Sequence, residues 1–368
     1  MTRPSEDVLK KARIARSQLA DGTTPFIHDE WYVAAFGEEI GRSLLARTLL
    51  GKRIVFFRRE DGTPVALEDR CAHRSYPLSA SHLDGDTIVC GYHGFRYDAQ
   101  GDCIEVPSAT RCPRTIGVKN YALEERGDLV WIWMGDAADA DPALLREQAW
   151  LISPEWEQSK GYYQLQANYI TMHENLLDLT HLSYLHAATF GTPDYAAAPY
   201  HTNVGTDEFM IRRDVVPTLL PPIWGKPTNL SDVPTAARIA SSTFKSPAFH
   251  QVEVRFYDSV LPEAERPEFT IRTAHLPTPE THSSTHYFIV HGRNFALEDD
   301  QVTAFMHEQL FAAFQEDVTG MALVEEVLHT TAQDDFYEIS VASDGAAVAM
   351  RRYIKSRAEK ENGCLAGS

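Results

Sequence analysis

The sequence predicts an α+β protein of two domains. Three observations lead there: a length of 368 residues, beyond the usual single domain; a turn-rich, strand-like first part; and a later stretch, from about Asp299 to Leu328, in which Phe305, Leu310, Phe314, Val318 and Met321 recur near helical spacing. With 43% hydrophobic and 23% charged residues, the composition is that of an ordinary globular chain.

The first residues, MTRPSEDVLKKARIARSQLADG, are charged and lack the apolar segment of a secretory signal, and no run approaches the roughly 18 apolar residues of a membrane span. Residues 1–25 therefore read as a short amphipathic helix of a cytoplasmic protein. From Phe26 to Asp136, RIVFF (53–57), PVAL (64–67), TIVC (87–90) and LVWIWM (129–134) read as strands, with turns at Asp61-Gly62 and Gln100-Gly101. These make a small antiparallel β domain, 26–136. The stretch ADADPALL (138–145) connects it to a second domain, 137–368, in which YYQLQANY (162–169) leads into a helix containing ENLLDLTHLSYL. RTAHLPTP (272–279) and THYFIVHGRNF (285–295) read as an antiparallel strand pair before the long helix.

A formal net charge of −18 argues against nucleic acid or an anionic membrane as partner, since both reward positive surface. The five cysteines, at 71, 90, 103, 112 and 364, are not expected to form disulfides in a reducing compartment. Cys103 and Cys112 read as buried small hydrophobes.

The strongest chemical signal is the pair Cys71 and His73 followed by the pair Cys90 and His93. In a Rieske [2Fe-2S] centre two Cys hold one iron and two His the other. Two short loops that each offer one thiolate and one imidazole meet that demand. The alternative is a structural Cys2His2 zinc site, although zinc sites more often separate a CxxC knuckle from a His pair.

Five segments carry a resemblance: CAHRSYPLS (71–79), CGYHGFRYD (90–98), NLLDLTHLSYLH (175–186), TPETHSSTHYF (278–288) and QED (315–317). Through them the chain resembles the Rieske non-heme iron oxygenases, in the group of terminal oxygenases that includes the vanillate and dicamba O-demethylases and the phthalate-type enzymes. Ala72 and Gly91 stand where many relatives carry Pro, which leaves the ligands untouched. The resemblance implies a catalytic domain of helix-grip fold, a large antiparallel sheet wrapped against helices.

A second metal site is readable after the first. Asp178 and His181 share a helix face, whereas His186 lies about 140° further round an ideal helix, so both His reach one ion only if the helix ends or bulges between them. Gly191-Thr192-Pro193 shows that the chain soon leaves helix. Two His and one carboxylate form the facial triad of non-heme Fe(II) oxygenases, and Asp178 and Asp317 compete for the third place. The resemblance assigns His181, His186 and Asp317 to the iron. It gives Asp178 a different role, a hydrogen-bonded bridge between His93 of one subunit and His181 of the next in a homotrimer. Asn175 either hydrogen-bonds near the iron or serves helix packing and capping, and His173 reads as structural. A set of satisfied polar residues or a hydrolytic zinc site is the competing account.

The implied activity is that of a monooxygenase: electrons from a separate NAD(P)H-dependent reductase or ferredoxin reach the cluster and then the iron, where O2 is activated beside a small aromatic, carboxylated or phenolic substrate. The chain shows no GxGxxG fingerprint of its own. Hydroxylation of a methyl ether would release formaldehyde; hydroxylation of a bare C–H would leave an alcohol or phenol. The rival readings are an electron-transfer protein without oxygenase activity, and an N-demethylase or ring hydroxylase of a non-carboxylated substrate. By the same resemblance His286 grips a substrate carboxylate or phenol, or else packs on a sheet face; Asn294 and Arg293 are further substrate candidates, and residues 215–250, with PTLLPPIW, form a wall of the pocket. Arg70, Arg74 and Arg96 either greet an acidic electron donor or fold inward to brace the loops.

Overall fold

A computed structural model of the protein describes residues 5–110, 116–145, 149–331 and 338–365, so Cys112 and the side chain of Cys364 lie outside the described residues. The chain divides into two compact units, one of residues 28–145 with 278–281 and one of 1–27, 146–277 and 282–368. The predicted N-terminal helix is observed as α1, Glu6–Arg16, shorter than 1–25 and with no buried residue. Among the described residues no helix is long and apolar enough to cross a membrane.

Among the described residues, the unit of residues 28–145 holds ten strands: β1 Trp31–Phe36, β2 Leu45–Leu49, β3 Lys52–Arg58, β4 Pro64–Glu68, β5 His82–Asp84, β6 Thr87–Val89, β7 Arg96–Tyr97, β8 Cys103–Glu105, β9 Leu123–Arg126 and β10 Leu129–Trp133. They form three sheets, ordered β1-β10-β9, β2-β3-β4 and β5-β6-β7-β8. Aliphatic and aromatic side chains from different sheets, among them Val55, Phe57, Leu67, Ile88 and Tyr97, share one core with Cys71, Cys90 and Cys103. Burial of Cys103 in that core accords with its reading as a small hydrophobe. The second loop tips the β6–β7 hairpin, but the first runs from β4 toward β5 and is not a hairpin tip.

The other unit is built on a seven-stranded sheet ordered β11-β17-β16-β15-β14-β13-β12. Its strands are β11 Glu157–Leu165, β12 Tyr200–Val204, β13 Phe209–Thr218, β14 Ala236–Ser246, β15 Phe249–Asp258, β16 Phe269–Thr281 and β17 Ser284–Arg293. The helices are α2 Tyr169–Leu177, α3 Pro222–Thr228, α4 Asp300–Thr330 and α5 Gly345–Leu365. The predicted long helix is α4, whose start is capped by Asp299 accepting from the Gln301 and Val302 amides. Its buried face carries Met306, Leu310, Ala313, Phe314, Asp317, Met321 and Glu325 at helical spacing, so an acid sits in the middle of an apolar stripe.

Side-chain alternation on the sheet fixes which residues meet α4. Tyr163 of β11 donates to the Phe311 carbonyl at 2.6 Å, and the Tyr287 hydroxyl of β17 lies 2.5 Å from His275 of β16, whose ring packs 5.6 Å from that of Phe314. That face of the sheet is therefore the α4 face.

Candidate metal centres and the cavity between helices and sheet

The two Cys-His loops repeat one backbone solution. The Cys71 amide donates to the Tyr76 carbonyl and the Ser75 amide returns to the Cys71 carbonyl; likewise the Cys90 amide donates to Phe95 and the Gly94 amide to Cys90. Closing such a loop requires a left-handed residue at its fourth step, met by Ser75 at φ 57° and Gly94 at φ 72°. Both sulfurs are thus drawn inside, with Cys71 and Cys90 each 2% exposed, while His73 and His93 stay at the exposed tips with ring centroids 4.6 Å apart. His73 lies flat on Phe95, 4.7 Å between rings. The Tyr97 hydroxyl stands 3.2 Å from the Cys71 sulfur and accepts from the Ala72 amide at 3.1 Å, so it orients the root of the first loop.

Of the nearby arginines, Arg96 is tied to Asp84 and to Glu105 at 3.5 Å, and Arg70 to Glu68 at 2.9 Å. Arg74 is exposed at the loop tip. Two of the three thus brace their own surroundings.

The second constellation depends on how α2 ends. The helix stops at Leu177; Asp178 is its C-cap and at once the N-cap of a 3-10 turn, Leu179–Ser183, accepting from the Thr180 amide at 2.8 Å. The helix expected through ENLLDLTHLSYL thus ends at Leu177, before both histidines, and the 3-10 turn that replaces it ends at Ser183, between them, which lets His181 and His186 converge despite their spacing. His181 Nε2 and His186 Nε2 lie 3.5 and 3.1 Å from the same oxygen of Asp317, and the three donor groups fall within 4.8 Å of one another.

Each ligand candidate is held from behind. The Nδ1–H of His181 donates to the Asp178 carbonyl, that of His186 to Glu316 at 2.7 Å, and the Asn175 amide donates to Asp317 at 3.0 Å. Both imidazoles thereby present Nε2 to the common point. Burial opposes ionisation of Asp317, yet the hydrogen bond from His186, the two imidazoles and the Asn175 amide together hold its carboxyl below the usual range.

These three residues open onto a cavity between the helices and the sheet. Its walls are mainly apolar, with Leu176, Trp224, Val254, Ile271, Leu310 and Phe314 contributing; the polar members besides the triad are Tyr195, Arg238, Thr273 and His275. Burial pushes His275 down to about 3, so it is neutral, and its Nδ1 is hydrogen-bonded to the Tyr287 hydroxyl at 2.5 Å.

Residues 30–122 match the family described as Rieske [2Fe-2S] domain, and residues 165–360 match the vanillate O-demethylase oxygenase C-terminal domain. The chain belongs to the Rieske oxygenases. It is 34% identical to the toluene-4-sulfonate monooxygenase system iron-sulfur subunit of Comamonas testosteroni, over 92% of this chain and 99% of that one. It is 30% identical to the dicamba O-demethylase oxygenase component of Stenotrophomonas maltophilia, covering 91% and 99%. A crystal structure of dicamba monooxygenase bound to 3,6-dichlorosalicylic acid superposes with a TM-score of 0.86 at 27% identity, covering 92% and 99%.

This Rieske oxygenase is accordingly an oxidoreductase, the oxygenase component of a monooxygenase system, and its cofactors are a [2Fe-2S] cluster and a mononuclear non-heme iron. The donor sets fit both. Two buried sulfurs beside two outward imidazoles suit a cluster with one sulfur-held and one nitrogen-held iron. Two imidazoles and one carboxylate, open on one side to a cavity, suit an iron that keeps free positions.

Three substrate candidates, His286, Asn294 and Arg293, do not line the oxygenase's cavity. His286 pairs with Gln164 and its ring bonds Tyr162 at 2.8 Å, on the sheet face opposite Tyr287, so it does not line the cavity. Asn294 is exposed and continues the strand pairing, accepting from the Thr270 amide at 2.8 Å. Arg293 is buried but spends its donors on the Phe295, Ala296 and Asp299 carbonyls and Thr303 at the start of α4. Trp224, within the PTLLPPIW segment expected at the pocket, does line the cavity, while the residues missed were Tyr97, Glu316, Arg238 and His275. Glu316 could have been suspected from its place beside Asp317, and His275 from the period-2 pattern of its strand; nothing local marks Arg238.

Proposed function

We propose that Cys71, His73, Cys90 and His93 hold the cluster, that His181, His186 and Asp317 hold the iron, and that the chain oxygenates a small aromatic compound bearing a carboxylate, phenol or related acidic group. The observation that carries this reading is a two-His, one-carboxylate set opening onto a mostly apolar cavity. The names of relatives, which act on toluene-4-sulfonate, vanillate and dicamba, support an aromatic substrate class. Residues 28–145 with 278–281 are then the cluster domain and the remainder the catalytic domain.

When bound, the iron supplies activation of dioxygen, and the protein supplies everything else. Glu316, Asn175 and the Asp178 carbonyl fix the three ligands in position. Leu176, Ile271, Val254 and Phe314 keep water away from the bound ring. His275 takes the place assigned in sequence to His286, a neutral imidazole at the cavity wall. Asp178 links neighbouring subunits in a homotrimer, its carboxylate accepting from His93 of the next subunit while its carbonyl accepts from His181, and a separate reductase or ferredoxin of the cytoplasm delivers electrons.

A panel of aryl acids and aryl methyl ethers, supplied with a surrogate reductase, tests the proposal. Formaldehyde or a hydroxylated product, with about three irons per chain, is the expected result. A protein with only the two cluster irons and no product from any substrate would be the electron-transfer rival.

A further inference from the structure

Four buried or nearly buried arginines of the catalytic unit show how a guanidinium is normally satisfied here, and one of them is not. Arg351 pairs with Glu174 at 2.9 Å and Glu338 at 3.1 Å. Arg213 donates to the Ala196 and Ala198 carbonyls and to Thr180, and Arg293 is saturated by three carbonyls and Thr303. Arg238, on β14 and 2% exposed, makes a single hydrogen bond, from Nη1 to the Phe190 carbonyl at 3.0 Å. Its Nε is buried without a partner, as is that of Arg213, but Arg213 spends its terminal nitrogens on the Ala196 and Ala198 carbonyls and Thr180, whereas among the described residues Arg238 has the Phe190 carbonyl alone and no carboxylate in ion-pair contact. Asp194, whose charge acts on it, is itself engaged by Thr218 at 2.7 Å.

A guanidinium has five N–H donors and a charge that is costly to bury unpaired. Arg238 sits over the Tyr195 ring, 4.6 Å from its centroid, which orients the group without neutralising it. It lines the same cavity as the triad, and so does Trp224, whose indole Nε1 is likewise buried and unpartnered. One ring links it to the metal site: Phe190 stacks on His186 at 4.6 Å and lies 5.8 Å from the Arg238 guanidinium carbon. An aromatic ring carrying an anion would satisfy the exposed donors at one end and extend along apolar wall toward His186 at the other.

We propose that Arg238, assisted by Trp224, is the specificity residue that binds the anionic group of the substrate, a carboxylate or a sulfonate on an aromatic ring. The inference rests on the reading of this cavity as the substrate site. Its test needs no turnover. Equilibrium binding of benzoate, benzenesulfonate and 4-toluenesulfonate to the metal-loaded protein is compared by calorimetry with that of benzamide and benzenesulfonamide, for wild type, Arg238→Gln and Arg238→Lys.

Wild type should favour at least one anion class over its neutral isostere by about tenfold or more, the worth of one charge-assisted contact. Arg238→Gln should lose that preference while holding the neutral ligands within about threefold, and Arg238→Lys should keep part of it. The benzoate and sulfonate arms separate a planar from a tetrahedral anion. Equal binding of charged and neutral ligands by wild type, undiminished anion binding by Arg238→Gln, a uniform loss across all ligands, or no binding of any probe would each overturn the proposal. Should the glutamine variant not fold, as judged by circular dichroism, a lysine variant without any anion preference would do the same. A protein that binds anions through Arg238 yet oxygenates nothing would sink the proposed function and leave this inference standing.

Discussion

The Nδ1 nitrogen of His186 and the Oε2 oxygen of Glu316 lie 2.7 Å apart, so the residue next to Asp317 in sequence orients the histidine that shares its metal site. One turn of α4 thereby supplies a carboxylate to the front of the site and another to the back. Thr189 donates to the same Glu316 oxygen at 2.9 Å, tying the loop after His186 into the arrangement. Partners of this kind fix the tautomer and basicity of a ligating imidazole, and their loss weakens metal binding by about 10–100-fold. Glu316→Ala should lose mononuclear iron to a chelator at correspondingly lower concentration while the cluster absorption is unchanged. Retention of iron equal to wild type would remove Glu316 from the support of the site.

Asp178 separates two effects that a single substitution can resolve. Its side chain caps the Thr180 amide at 2.8 Å and its carbonyl accepts from His181, and Asn can do both. What Asn lacks is the negative charge with which the carboxylate accepts from His93 of the neighbouring subunit. Asp178→Asn should therefore keep its iron and its melting temperature, yet turn over at least about 100-fold more slowly with the cluster still reducible. Full turnover would refute the bridge.

Gly191 is where the loop carrying His186 closes on itself. Its amide donates to the His186 carbonyl at 2.8 Å, and a Cβ there would fall 1.8 Å from the Leu182 carbonyl oxygen and 2.9 Å from that of His186. Both are backbone atoms with no side-chain freedom to yield. Gly191→Ala should displace the segment between the two histidines, with a loss of about 1–3 kcal/mol in stability and a deficit of mononuclear iron on purification. Wild-type iron content together with an unchanged melting temperature would contradict this account of the loop.

The metal-ligand candidates were legible because their spacing is set by local chain geometry: a Cys-His loop closes on itself through its own amides, and the requirement that the helix break between His181 and His186 follows from angle alone. The long helix was legible for the same reason, since its buried face repeats every three or four residues. Substrate contacts were not. Whether His286 or His275 faces the cavity depends on strand parity and on which sheet face α4 covers, and a one-residue difference in parity moves a side chain to the other face. Arg238 sits 57 positions from His181 in sequence and becomes notable only when its missing partners are visible in space.

Behind the site, burial keeps several histidines neutral, and this gives the fold a defined response to acid. Burial lowers His173 to about 4 and His291 to about 3, and carries His250 well below its ordinary value. The hydrogen bonds require neutral rings: His173 donates from Nε2 to the Pro247 carbonyl at 3.0 Å, its Nδ1 faces His250 Nδ1 at 3.2 Å, and His250 Nε2 meets the Ser242 hydroxyl at 2.8 Å. Only one proton fits between the two Nδ1 atoms. In the unfolded chain these histidines protonate near 6.5, so as pH falls below that value the unfolded state binds protons that the native state refuses. Their contribution to stability is complete above about pH 6.5, is lost as pH falls toward 4, and each group then costs about 1.4 kcal/mol per pH unit. Urea midpoints at constant ionic strength should drop steadily from pH 7 to pH 5, and His173→Gln, which cannot take up the proton, should show a shallower decline than wild type. Parallel declines in the two proteins would show that the buried pair of histidines does not set the acid response.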